Sequence, residues 1–180
     1  MKEAPREAPT AGRARGDGGP VVDPSMAGPG LGLVVFTIEG QRYGLRLSAV
    51  ERVLPMVAVA PLPKAPAVAL GVFNLHGQVI PVVDIRRRFG LPSRDYGVNA
   101  HLLVARTVRR TVALPVDEVL GVIEVVPEAV AAPETILPGI GHVAGIATLS
   151  DGLLFIHDLD TFLSLDEERQ LAQALEGNEQ

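Results

Sequence analysis

Between Leu31 and Leu165 the apolar positions fall into short runs separated by turn residues, a pattern of strands and not of long helices. Leu33 to Ile38 (LVVFTI) is a β-type run. Glu39-Gly40-Gln41 supplies turn chemistry, and Tyr43-Gly44-Leu45-Arg46-Leu47 alternates in the manner of a half-buried strand. Ser48-Ala49-Val50-Glu51 has the form of a capping box and predicts one or two helical turns ending before Pro55. Gly71 to Leu75 and Val79 to Val83 read as strands around a tight turn at His76-Gly77-Gln78. Asp84 can cap a short helix, Ile85 to Phe89, closed by Gly90 and Pro92.

This plan occurs twice. Shifted by 69 positions, residues 31–54 fall without a gap on 100–123, so that Leu33, Val35, Leu45, Val50 and Val53 meet Leu102, Val104, Leu114, Val119 and Val122. Ser48 meets Asp117, a different residue with the same capping chemistry. Shifted by 74, residues 71–89 bring Gly71 onto Gly145, Leu75 onto Leu149 and Asp84 onto Asp158, with Ser150-Asp151-Gly152 replacing the first turn. Caps, turns and strands recurring in one order point to a duplicated unit of hairpin, short helix, hairpin, short helix. Each copy holds too few strands for a stable open sheet and is expected to close a small barrel of its own.

The ends differ from this body. Residues 1–30 hold six glycines, five prolines and four charges of each sign, too little apolar surface to offset chain entropy, and are expected to form a disordered tail. Residues 166–180 carry five acidic residues against Arg169, with Leu171 and Leu175 at helical spacing, and predict a terminal helix leaning on the body. The body, residues 31–165, is almost balanced, with 11 basic and 12 acidic residues. A net charge of −5 and 4% aromatics provide neither a basic face nor stacking platforms, so nucleic acid is not an expected partner. The absence of cysteine excludes a disulfide scaffold, a thiolate zinc site and a cysteine nucleophile. Neither an export signal nor a spanning apolar stretch is visible, so a cytoplasmic protein without direct membrane insertion is expected.

No catalytic constellation emerges. His76, His101, His142 and His157 form no pair at metal-ligand spacing. His157, ending an apolar strand beside the proposed cap Asp158, reads as a structural imidazole. The glycines of Pro138-Gly139-Ile140-Gly141-His142 follow no strand and open no helix, which makes a poor phosphate cradle. Asp158 and Asp160 read as capping and solvated carboxylates. Arg86-Arg87-Arg88 on a short helix spreads its guanidinium groups around the axis, one of them pairing locally or meeting a partner.

The stretch from Gly71 to Gly90, GVFNLHGQVIPVVDIRRRFG, resembles the signature of CheW-like domains, the coupling proteins of bacterial chemotaxis. Phe36, Ile38, Tyr43 and Gly44 match an earlier part of that pattern, and Val116-Asp117-Glu118-Val119 a later one. The resemblance covers about residues 31–165. It implies an all-β fold of two SH3-like five-stranded β-barrels, with short connecting helices and a C-terminal helix, in agreement with the duplication. It also implies an adaptor without cofactor or catalysis, binding the regulatory domain of a CheA-type histidine kinase and the cytoplasmic tip of chemoreceptors, and recruited to receptor arrays at the inner membrane. Carried over by position, Asn74 and Gly77 would shape the inter-strand turn and Pro81 and Asp84 the strand-to-helix junction, with Asp117 and Asp158 as matching structural residues. Arg86 would be the arginine of the motif. Partner contacts are expected from Arg52, Val57, Val59, Asn74, His76, Gly77 and Arg86.

Two departures bear on the partner. Family members commonly carry arginine where His76 stands, and glutamate where Arg52 stands, opposite charges that can pair near the partner-binding side. Glu51 is one place away and on a helix would point about 100° elsewhere. With both members changed, an auxiliary coupling protein with a specialised kinase, in pilus or surface sensing for instance, is the alternative to a chemotaxis adaptor. An enzyme or small-ligand binder using the crevice between barrels is a third reading, which bound metal or a metabolite-induced stability shift would favour.

Overall fold

The computed structural model describes residues 30–133 and 142–178. Among the described residues, eleven strands form two sheets. They are β1 (Leu31–Ile38), β2 (Gln41–Arg46), β3 (Val50–Pro55), β4 (Ala69–Leu75), β5 (Gln78–Val83), β6 (His101–Arg106), β7 (Thr111–Val116), β8 (Glu118–Val125), β9 (Val130–Ala131), β10 (Val143–Leu149) and β11 (Gly152–His157). One sheet, called A here, runs β8-β1-β2-β11-β10-β9; the other, B, runs β3-β6-β7-β5-β4. The fold is mostly β; among the described residues are the helices α1 (Ile85–Arg88) and α2 (Leu165–Asn178) and 3-10 turns at Leu47–Ala49, Pro127–Ala129 and Leu159–Thr161.

The duplication is written into the strand registers. Sheet A pairs Gly44 with Ile156 in parallel, and sheet B pairs Ala113 with Val82. Gly44 and Ala113 differ by 69, Val82 and Ile156 by 74, the two sequence shifts. The edge bulges correspond as well: Glu51 in β3 and Leu120 in β8, again 69 apart, are the residues left without a cross-strand partner. Even the two-residue β9 has its counterpart, since Ala131 faces Ile146 where Ala60 bridges Val72.

The barrels are nevertheless not the two sequence copies. Hairpin β1–β2 from the first copy joins β8 to β11 of the second, while β6–β7 from the second joins β3 to β5 of the first. The expectation that each copy closes on itself is thereby corrected. The physical cause lies in the two hairpins, which are apolar on both faces. Leu33 and Val35 of β1 point into barrel A, whereas Val34, Phe36 and Ile38 point into a core shared between barrels. Leu102 and Val104 of β6 fill barrel B, and Leu103 and Ala105 enter the shared core. Burial of each such side chain is worth about 1.5–3 kcal/mol, so stacking the hairpins back to back outweighs leaving either exposed.

A second correction concerns residues 48–54. Ser48 makes no helix cap; a single 3-10 turn, Leu47–Ala49, leads directly into β3, which pairs with β6 from Val50↔Ala105 to Pro55↔His101. The β-branched Val50 and Val53 and the apolar Leu54 gain more from that ladder and from barrel B than a short capped helix provides. At the far end, α2 lays Leu171 and Ala174 on Leu62 and Val72, outside barrel B. Arg88 with Glu167 and Arg110 with Glu168 fasten its first turn.

Candidate partner-binding surfaces

The β4–β5 hairpin is closed by two residues, His76 and Gly77, with φ of 50° and 89°. Positive φ at both places is the geometry of a type I′ turn, and the glycine meets that demand without strain. Asn74 Oδ1 accepts the Gly77 amide at 2.8 Å, pinning the turn so that His76 stands at its tip, exposed. Further along, Pro81 lies buried in β5 opposite Val72. Its duplicate, Phe155, pairs with Tyr43 across the parallel ladder of sheet A, whereas in sheet B the ladder is reduced to Val82↔Ala113. A proline has no amide hydrogen to donate, and one bridge is lost there.

Asp84 follows β5 and caps α1: its Oδ1 accepts the Arg86 amide at 3.0 Å and the Tyr96 hydroxyl at 2.8 Å. Burial and the Asp84 carboxylate push the Tyr96 phenol well above its ordinary range. Arg86, expected as a partner contact, has no exposed surface at all. Its guanidinium pairs with Asp117 and lies 4.7 Å from the Tyr96 ring centre. It is a lock of the interior, and partner contact by its side chain is excluded. Asp117 is likewise not the helix cap suggested by its match to Ser48. It follows β7, accepts the Glu39 amide at 2.7 Å and meets Arg94 at 3.0 Å, tying the β1–β2 turn of sheet A to α1 and the segment after it. Asp158 does cap, accepting the Asp160 amide at 3.1 Å at the Leu159–Thr161 turn.

Arg52 sits on β3 and not on a helix, so Glu51 and Arg52 are separated by a strand bulge instead of a helical rotation. Arg52 is exposed and has no ion-pair partner among the described residues; Glu51 is held by Arg106 at 2.8 Å. No hydrogen bond or ion pair joins Arg52 to His76 among the described residues. Val57 remains exposed, and Val53 beside it in β3 is 43% exposed. Val59, expected as an anchor of equal standing, is half-buried against the core of barrel B. Gly71, at φ 150°, allows that approach, because a Cβ there would lie 2.1 Å from Ala60 O and 2.9 Å from Val59 Cγ1.

What the sequence reading missed is the outer strand of the other barrel. β8 ends sheet A as β3 ends sheet B, and Leu120 and Val122 are 49% and 59% exposed. Val53 and Val122 differ by 69, so the repeat itself was the signal that pairs them. His157 behaves as a structural residue: it is 3% exposed, its Nδ1 is 2.8 Å from His142 O, and its ring stacks on Phe89 at 4.6 Å. Burial pushes its pKa down to about 4. The glycines Gly139 and Gly141, weighed as a phosphate cradle, lie outside the described residues. Among the described residues, no group of acidic or histidine residues able to hold a metal ion occurs, and no helix is long and apolar enough to cross a membrane.

Comparison with known proteins places this geometry. The sequence profile of the CheW-like domain matches residues 32–167. "Chemotaxis protein CheW" of Rhizobium meliloti is 28% identical over 142 residues, spanning 78% of this chain and 91% of the relative. "Protein FrzA" of Myxococcus xanthus is 28% identical over 145 residues, 77% of this chain and 88% of the relative. The crystal structure of the scaffolding protein TtCheW from Thermoanaerobacter tengcongensis superposes with a TM-score of 0.71 at 27% identity, covering 77% of this chain and 95% of that one. The repeated barrels, the hairpin motif and these matches agree: the chain belongs to the CheW-like domain family.

Proposed function

We propose that the protein is a non-enzymatic adaptor that couples chemoreceptors of the methyl-accepting type to a CheA-type histidine kinase, working in the cytoplasm at receptor arrays. The observation that carries this is the pair of outer strands, β3 and β8. Each ends its sheet and presents an equivalent exposed valine, Val53 or Val122. Unpaired strand edges with apolar side chains are docking surfaces, and a duplicated fold offers one on each barrel, as a protein joining two neighbours requires. A contact of ordinary size, about 1,200–2,000 Å², needs only a few such central residues.

The test is reconstitution. Receptor-containing membranes, a CheA-type kinase of the source organism and the full chain are combined, and kinase autophosphorylation is followed with and without attractant. Receptor control that appears only when the chain is present is the expected result; a kinase indifferent to the chain refutes the adaptor reading.

A second reading, a coupling protein of a specialised non-flagellar system, is favoured by the unpaired Arg52 and His76. It predicts that wild type binds the principal chemotaxis kinase more weakly than the double variant Arg52→Glu, His76→Arg. Equal binding in a pull-down against every CheA-type kinase of the organism would eliminate it.

A further inference from the structure

Between α1, which ends at Arg88, and β6, which begins at His101, the chain forms neither helix nor strand. This strap is anchored at both ends. The Leu91 amide donates to the Arg86 carbonyl at 2.9 Å, and the Leu91 side chain packs against the core shared between the barrels. Ala100 is buried; its amide donates to the Gly97 carbonyl and its carbonyl accepts the Met56 amide, both at 3.0 Å. Between the anchors, the amides of residues 93–99 donate to no backbone carbonyl among the described residues. An open recess of about 590 Å³, bordered by Glu39, Gly40, Arg94, Gly97, Asn99 and Asp117, lies between the strap and the β1–β2 turn, so no apolar packing holds that side.

Two side chains tie the strap down. Arg94 reaches Asp117 at 3.0 Å and Glu39 at 3.9 Å, but it is 54% exposed, and water and salt weaken its hold. Tyr96 is the inner tie. Its hydroxyl donates to the buried Asp84 carboxylate and its ring covers the Arg86 guanidinium. Behind it, Arg86 Nε is buried without an acceptor among the described residues, so burial alone shields its N–H from water. Withdrawing Tyr96 strands no buried charge: Asp84 keeps the Arg86 amide and Arg87, and Arg86 keeps Asp117. A segment with so few contacts opens at a much lower free energy than the whole fold. Gly90, at φ 67°, and Gly97, where an added Cβ would meet nothing within 4 Å, flank the two ties and give the backbone room to turn.

We propose that residues 92–99 form a latch that opens by itself while both barrels stay folded, with Tyr96 as its plug and Arg86 as the group it uncovers. Opening withdraws Arg94 from Glu39 and Asp117, which gives the latch two settings. Shut, it helps fasten the β1–β2 turn of sheet A to α1; open, it leaves that joint to Asp117 alone. The device goes beyond the adaptor reading and does not depend on it.

Two readouts on the full chain test it. Exchange of the Arg86 Nε–H with water, followed by NMR, reports the uncovering of the guanidinium. Trypsin cleavage after Arg94, read by mass spectrometry as fragments beginning at Asp95, reports opening of the strap backbone. In wild type both rates are expected to rise only weakly with urea below the unfolding midpoint. A dependence as steep as that of global unfolding overturns the latch, because the strap then opens only with the barrels. Tyr96→Phe keeps the ring and loses the hydroxyl, and is expected to raise both rates about tenfold. Tyr96→Ala removes the ring as well and is expected to raise them about a hundredfold. Rates that stay at the wild-type value in Tyr96→Phe and Tyr96→Ala overturn the assignment of Tyr96 as the plug. The wild-type urea series decides the matter even if Tyr96→Ala fails to fold.

Discussion

The buried pair of Arg86 and Asp117 gives the sharpest test of how the interior is held together, because its two members are not equally buried. Arg86 has no exposed side-chain surface, while that of Asp117 is 23% exposed. Asp117 also keeps Arg94 at 3.0 Å and the Glu39 amide at 2.7 Å. Arg86 has no second ion-pair partner among the described residues, and its Nε and Nη1 find no acceptor there. The charge that cannot return to water is therefore the cation. Asp117→Asn leaves a buried guanidinium without its counter-ion, a defect of about 3–5 kcal/mol. Arg86→Met replaces the stem with apolar volume and leaves an aspartate still served by Arg94 and solvent, for about 1–2 kcal/mol. The double variant holds no uncompensated buried charge and should resemble Arg86→Met, giving a coupling about as large as the cost of Asp117→Asn itself, about 3–5 kcal/mol. Urea unfolding at pH 7 measures each value, provided the slope with denaturant stays constant across the set. If Asp117→Asn costs less than Arg86→Met, or the two effects simply add, the assignment of Arg86 as the captive charge is wrong.

Three further outcomes follow from the same contacts. Fragments 1–99 and 100–180 each lack a hairpin of their own barrel, so neither should unfold cooperatively alone and an equimolar mixture should regain native circular dichroism; a first fragment that folds unaided contradicts the exchange. Gly71→Ala forces a Cβ to within 2.1 Å of Ala60 O at φ 150° and should cost about 3 kcal/mol or more, against about 1 kcal/mol for Gly40→Ala, where φ is 78° and nothing lies within 4 Å; comparable melting temperatures would refute the close approach. His157 is held neutral by burial, with its pKa down to about 4 against about 6.5 when unfolded. The unfolded chain therefore binds the extra proton between those values, and stability should fall as pH drops from 6.5 to 4, by up to about 3 kcal/mol. His157→Phe should flatten the dependence in that window, and an unchanged slope would show that other groups set it.

These tests separate two levels at which the fold is encoded. The strands around the β4–β5 turn were legible because their signals are local: alternation, a glycine at the turn, and an aspartate before Ile85. The repeat was legible too, since its two shifts are the offsets between matching strand pairs. Residues 48–54 misled because a capping-box pattern and a strand edge are both short, and only the neighbouring β6 decides between them. The same holds for Arg86. Its motif position marks it in the sequence, but nothing along the chain says that Tyr96 and Asp117 close around it.

By itself, then, the sequence determined the elements, their twofold recurrence and the family, all properties that depend on neighbours within a few residues or on spacing along the chain. Tertiary structure decided which hairpin belongs to which barrel and which arginine is interior. Those choices rest on contacts between segments far apart in sequence, where two doubly apolar hairpins find each other and each barrel closes around the other copy's strands.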